Sequence, residues 1–125
     1  MAKFFLLIGS ILAGLSVAGG AFATHALKNQ LSDRSLEIFE TGTKYQMYHA
    51  LALILVALLL KSQENTPITM VSAGYAFIIG ILIFSGSLYA LSLTGIKWLG
   101  AIAPIGGAAF LIGWLSLAIA AWGME

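Results

Sequence analysis

The chain has 125 residues, of which 60% are hydrophobic and 9% charged, with a formal net charge of +1 and a mean hydropathy of +0.98. A soluble domain carries about a quarter charged residues to keep its surface wetted, so the solvent of this chain is mostly lipid. The near-neutral balance excludes the basic field that nucleic-acid binding needs, and the lack of cysteine excludes disulfides, thiolate metal sites, a lipoprotein anchor and cysteine nucleophiles.

Charges mark the elements. Phe4 to Leu27, Tyr45 to Leu60, Asn65 to Ile96 and Trp98 to Met124 contain no Asp, Glu, Lys or Arg, and a helix crossing the hydrocarbon needs about 20 mostly apolar residues. The pattern predicts an all-α integral membrane four-helix bundle in one domain, 1–125, with helices near 4–25, 44–61, 68–92 and 98–122. Lys3, an apolar core and the small-residue site "AFA" at 21–23 have the grammar of a cleavable signal peptide. The uncharged run continues to Leu27, longer than a usual signal core, so the first span is expected to be retained. Along it Gly9, Ala13, Ser16, Gly20 and Ala23 form a seam of small residues.

The segment 28–43 is the one soluble-looking stretch. Ser32 is a plausible N-cap, Asp33 suits the positive end of a helix, Leu36 and Phe39 share a face, and Gly42 is a stop signal. A short interfacial helix between the first two spans is expected, with Leu36 and Phe39 resting on the bilayer surface; a lid or docking segment is the functional alternative. From Lys44 to Lys61 the second span offers only about 24 Å, so those lysines snorkel outward or the helix runs on into the headgroups.

The third span carries Ser85, Ser87 and Tyr89, which in an oligomer could line a solute path. In the fourth, Pro104 beside Gly106 and Gly107 invites a kink, or simply suits a helix start. Gly106, Ala109, Gly113, Ser116, Ala120 and Gly123 continue as a second small-residue seam. In lipid, close backbone approach through small residues replaces the missing hydrophobic drive, so the first and fourth helices are expected as neighbours, or as the faces of a homo-oligomer. Trp98 and Trp122, about 36 Å apart along a helix, read as interfacial anchors.

The candidate site is polar. An up-and-down path puts His25, at the end of the first helix, on the same side as His49, about one turn into the second. Gln46 shares a face with His49, and Tyr45 lies one turn from it. His25, Tyr45, Gln46 and His49 are therefore expected to form a ligand or polar cluster at one membrane edge, with a contribution from Glu40 of the connector. The structural alternative makes Thr43 and Gln46 a capping box and the tyrosines ordinary interfacial aromatics. No nucleophile, base and orienting group occur together, so no catalytic residue, enzyme activity or cofactor is expected. Bis-histidine haem on His25 and His49 is the cofactor alternative, and no metal-ligand spacing is present. Lys28, Arg34, Lys44 and Lys97 outweigh Lys3, Lys61 and the α-amino group, which by the positive-inside rule places both termini outside the cytoplasm.

"GGAFATHAL" at 19–27, "ETGTKYQMYHALAL" at 40–53, "FSGSLYALSLTG" at 84–95 and "GAIAPIGGAAFLIGW" at 100–114 closely resemble the small bacterial membrane proteins of domain-of-unknown-function family 423, also called uncharacterised protein family 0382. The resemblance covers essentially the whole chain. It implies a multi-pass protein of the bacterial plasma membrane with no established activity, catalytic residue or cofactor; with no catalytic constellation visible, the expected role is a non-enzymatic one through membrane lipid or a protein partner. His25, Glu40, Gly42, Tyr45, Gln46, His49, Ser85, Gly86, Ser87, Tyr89, Pro104, Gly106 and Gly107 match motif positions. Thr24 departs from the small apolar residue usual before the histidine, and is expected to offer His25 a local hydrogen bond.

Overall fold

The structure, a computed structural model, describes residues 1–124. Four helices long and apolar enough to cross a membrane follow one another: α1 (Ala2–Leu27), α2 (Asp33–Lys61), α3 (Ile68–Thr94) and α4 (Lys97–Trp122). No strand occurs among the described residues, so the all-helical, four-span architecture expected from the charge-free stretches is the observed one. Ala2, Lys3 and Leu6 line a cleft with Ala57, Leu58 and Lys61, which sets the start of α1 beside the end of α2. Gly123 and Met124 line a hollow with residues of the α2–α3 turn. Both described ends of the chain therefore lie at the same end of the bundle.

α2 is the central helix. Its Ala50, Leu53, Val56 and Ala57 are buried, while Leu51, Leu55 and Leu58 face outward, and it packs against both α1 and α3. With Phe5, Met70 and Phe77 its buried residues build the main core. Lipid tails are as apolar as these side chains, so what holds the core is dispersion contact at close packing.

Three expectations change here. First, the connector is not a separate interfacial helix: Ser32 caps as expected, accepting from the Ser35 amide at 3.1 Å, but α2 then runs unbroken for 29 residues through Gly42 to Lys61. At 1.5 Å per residue this is about 43 Å, more than the ~30 Å hydrocarbon core, so the charged first turns project into the headgroup region. The exposed Arg34–Glu37 pair, 3.3 Å apart, lies there. Gly42 continues the helix, and what its missing side chain provides is room, since a Cβ would meet Tyr89 Cε1 at 2.7 Å. Second, Leu36 and Phe39 do not lie on a bilayer surface. They pack with Ala23 and Leu27 of α1 and with Tyr89 of α3, as a satellite core. Third, α1 packs along α2 and α4 along α3, so the two small-residue helices are not each other's main neighbours.

The two seams are used differently. On α1, Gly9 and Ser16 are buried toward α2, where a Cβ at Gly9 would meet Ile54 Cγ1 at 2.9 Å. On α4, Gly106, Gly113 and Ala120 are buried, with Ala109 and Ser116 only partly so. Gly113 admits a ring: its Cβ would lie 2.6 Å from Phe77 Cε1. Gly106 is the closest backbone contact of the two seams, seated against the Phe84 main chain, and Gly9 lies near the Ala50 carbonyl.

That contact is set by a π-helical turn in α3, Ile81–Ser85, which the apolar pattern did not reveal. One extra residue in a turn shifts the register of the faces that follow. Before it, α3 presents Phe77 and Gly80 to α4; Ser85 at its end and Tyr89 beyond it reach α2. α3 ends at Gly95, whose left-handed backbone (φ +72°) lets its amide bond the Leu91 carbonyl at 2.8 Å. α4 opens as a 3₁₀ turn, Lys97–Ala101, and becomes α-helical from Ala103. Pro104 thus occupies the first turn of the α-helical part, where its missing donor leaves nothing unsatisfied. It starts that segment instead of kinking it.

Candidate functional site

The polar groups of α2 face two ways. Gln46, buried and in mid-helix, donates from Nε2 to the Leu12 carbonyl of α1 at 2.8 Å and accepts at Oε1 from the Tyr89 hydroxyl of α3 at 2.6 Å. It is not part of a capping box, since Thr43 lies inside the helix and bonds the Glu40 carbonyl. Around it Ser16 donates to the Thr43 carbonyl at 2.6 Å, and Ser85 to the Gly42 carbonyl at 2.7 Å. Three helices are thus joined by side chains that find main-chain carbonyls, an arrangement that avoids the cost of an unpaired polar group in hydrocarbon.

His49, one turn along, looks toward α4. Its Nδ1 lies 2.8 Å from the Tyr45 carbonyl, and Trp114 Nε1 donates to its Nε2 at 3.1 Å. A carbonyl only accepts and an indole only donates, so both contacts are satisfied by the neutral imidazole carrying its proton on Nδ1. The ring stacks on Phe110 with centroids 3.5 Å apart and planes 8° apart, and it meets Phe77 and Trp114 at an angle. Among the described residues no buried side-chain nitrogen or oxygen lacks a partner.

Over this imidazole lies a cleft of about 410 Å³. His49, Phe110 and Phe84 line its depth, Gly107 leaves its wall open, and the exposed Tyr45, Tyr48, Leu111 and Trp114 form its rim. The planes of Tyr45, His49 and Phe110 are close to parallel, 14° between the first two and 22° between Tyr45 and Phe110. A planar apolar molecule entering from the lipid would meet aromatic surface here, with phenol and indole groups at the rim.

The expected cluster is therefore only partly assembled. Tyr45 and His49 share this cleft, while Gln46 points to the other side of α2. His25 is exposed on the π-helical turn that ends α1 and makes no hydrogen bond among the described residues, so it does not join them. Thr24 bonds back to the Gly20 carbonyl at 3.1 Å, not to His25. Glu40 is exposed, and its part in the network is its carbonyl. Both His49 ring nitrogens are committed, Nδ1 at the Tyr45 carbonyl and Nε2 to Trp114, so haem ligation there would displace one of these contacts. Ser85 and Ser87 bond the Gly42 and Phe84 carbonyls, while Tyr89, bonded to Gln46, also lines a cleft of about 430 Å³ with Leu12 and Leu15. Sequence reasoning missed Trp114, Phe110, Tyr89 as partner of Gln46, and the Leu12 carbonyl. The aromatic at 114, two turns after Gly106, was the available signal.

Comparison with known proteins places this geometry in a family. Residues 19–107 match the family described as protein of unknown function (DUF423). The chain is 47% identical over 118 residues to a UPF0382 membrane protein of Staphylococcus epidermidis, covering 94% of each chain. It is 44% identical over 119 residues to the UPF0382 membrane protein YwdK of Bacillus subtilis, covering 95% of this chain and 96% of that one. No solved structure matches. With most of its length matched by the family and its relatives, this multi-pass membrane protein belongs to the DUF423 family.

Proposed function

We propose that this is a non-enzymatic protein of the bacterial plasma membrane that binds a flat, lipid-phase molecule laterally, in the aromatic cleft between α2 and α4. One observation carries the proposal: the cleft at His49 is open and lined by near-parallel rings, with the His49 imidazole at its floor bonded to the rim residue Trp114. The volume, about 410 Å³, lies within the range of about 300–1,000 Å³ typical of small-molecule sites. A non-catalytic role is supported by the hydroxyls. Ser16, Thr43, Ser85, Ser87 and Ser92 all donate to main-chain carbonyls, so none is activated by a base. The charge distribution favours termini outside the cytoplasm.

Gly107 supplies the test. A Cβ there meets nothing within 4 Å and Gly107 lines the cleft, so Gly107→Leu is expected to fill it. Mass spectrometry of the gently extracted protein is expected to find a co-purifying lipid-phase species in the wild type that Gly107→Leu loses while keeping its helical fold. Identical bound species in the two proteins, or none in either, would overturn the proposal.

A further inference from the structure

At the opposite end of α2 lies a second cleft, of about 380 Å³, between the start of α1 and the end of α2. Its walls are Ala2, Leu6, Ala57 and Leu58, and its charged members are Lys3 and Lys61. These two lysines are far apart in sequence and reach the same opening because α1 and α2 run antiparallel. Neither has an acidic partner among the described residues, where Arg34–Glu37 is the salt bridge found. The nearest acid along the chain, Glu64, lines a different hollow, on the side facing Gly123. The Met1 side chain turns toward Tyr75 of α3, leaving the cleft to the lysines.

We propose that this cleft binds an anionic phospholipid, its phosphate held between the Lys3 and Lys61 ammonium groups and an acyl chain lying along Leu6, Ala57 and Leu58. The complementarity is twofold. Two ammonium groups over an apolar groove match a headgroup that carries negative charge directly above hydrocarbon, and a basic pocket between membrane helices is suited to such headgroups. A lysine stem packs favourably on apolar surface while its charge reaches the interface, where a phosphate resides. The site stands apart from the aromatic cleft and shares no lining residue with it.

The test compares retention of phosphatidylglycerol and phosphatidylcholine by the full chain in native mass spectrometry. The proteins are the wild type, Lys3→Gln/Lys61→Gln, and Lys28→Gln/Lys44→Gln, which removes the same charge from the other end. Wild type and the Lys28/Lys44 variant are expected to retain phosphatidylglycerol in preference to phosphatidylcholine, and Lys3→Gln/Lys61→Gln to lose about 30-fold in that affinity. Inorganic phosphate alone is expected to leave the unfolding temperature unchanged, whereas phosphatidylglycerol raises it. Equal retention by the wild type and the Lys3/Lys61 variant, equal retention of the two lipids, loss in the Lys28/Lys44 variant as large as in Lys3/Lys61, or full stabilisation by phosphate alone would each overturn the proposal. Loss of the lipid-phase species in Gly107→Leu bears only on the aromatic cleft.

Discussion

Gln46 and His49 lie three residues apart on α2, and their surroundings are opposite in kind. Gln46 bridges α1 and α3, with each end of its amide committed to another helix, beside a largely aliphatic cleft. His49 is equally well paired, but to its own helix and to a rim tryptophan, beneath a cleft that opens on the lipid. A polar group that ties three helices is structural by its connections, whereas one whose ring forms the floor of an aromatic cleft adds to the surface met by what enters. The same contrast recurs on α4 in two adjacent glycines. Gly106 is pressed on the Phe84 backbone, and Gly107 has nothing near it.

The glycines give the sharpest way to break this comparison. Gly106→Leu must push α3 and α4 apart and is expected to cost about 3 kcal/mol or more, enough to unfold much of the protein in detergent. Gly107→Leu is expected to stay within about 0.5 kcal/mol of the wild type. Thermal unfolding of the two purified variants checks this, and equal losses would erase the distinction between packed and open faces.

Gln46→Leu comes next. It strands the Tyr89 hydroxyl and frees the Leu12 carbonyl, at an expected cost of about 1–2 kcal/mol. Tyr89→Phe alone should cost about 0.6 kcal/mol, and the double variant should cost less than the sum because the two share one hydrogen bond. A strictly additive result in denaturation would mean that the Gln46–Tyr89 bond contributes nothing.

A similarly small stability effect is expected at His49. His49→Phe keeps a ring against Phe110 and gives up the Trp114 bond, for about 0.5–1 kcal/mol. Its clearer signature is optical: with Trp98 and Trp122 replaced by Phe, emission from Trp114 should shift when its indole loses its acceptor. An unshifted spectrum would show that Trp114 and His49 are not paired in the membrane.

The four spans were legible in the sequence because charge is costly in hydrocarbon, and apolar runs of about 20 residues without it are the mark of a membrane-crossing helix. Ser32 was legible for a similarly local reason, since its hydroxyl caps an amide three residues on. Gly42 misled because a helix stop and a seat for another helix's ring look alike in one dimension. His25 misled because a shared membrane side does not imply contact. Gln46 and His49 were found as polar residues on an apolar helix, but their partners were not, since a main-chain carbonyl at Leu12 leaves no trace in residue identity.

By itself, then, the sequence determined the class, the number of spans, the cap at Ser32 and the set of polar residues that α2 has to accommodate, all of which follow from local spacing and the cost of charge in lipid. Tertiary structure decided which helices pair, that the connector joins α2, that a π-helical turn re-aims α3, and that Gln46 faces inward while His49 underlies a cleft. Those outcomes depend on the rotation of each helix about its axis. Where lipid and protein interior are equally apolar, hydrophobic pattern does not fix that rotation, and glycine-to-ring fits and interhelix hydrogen bonds do.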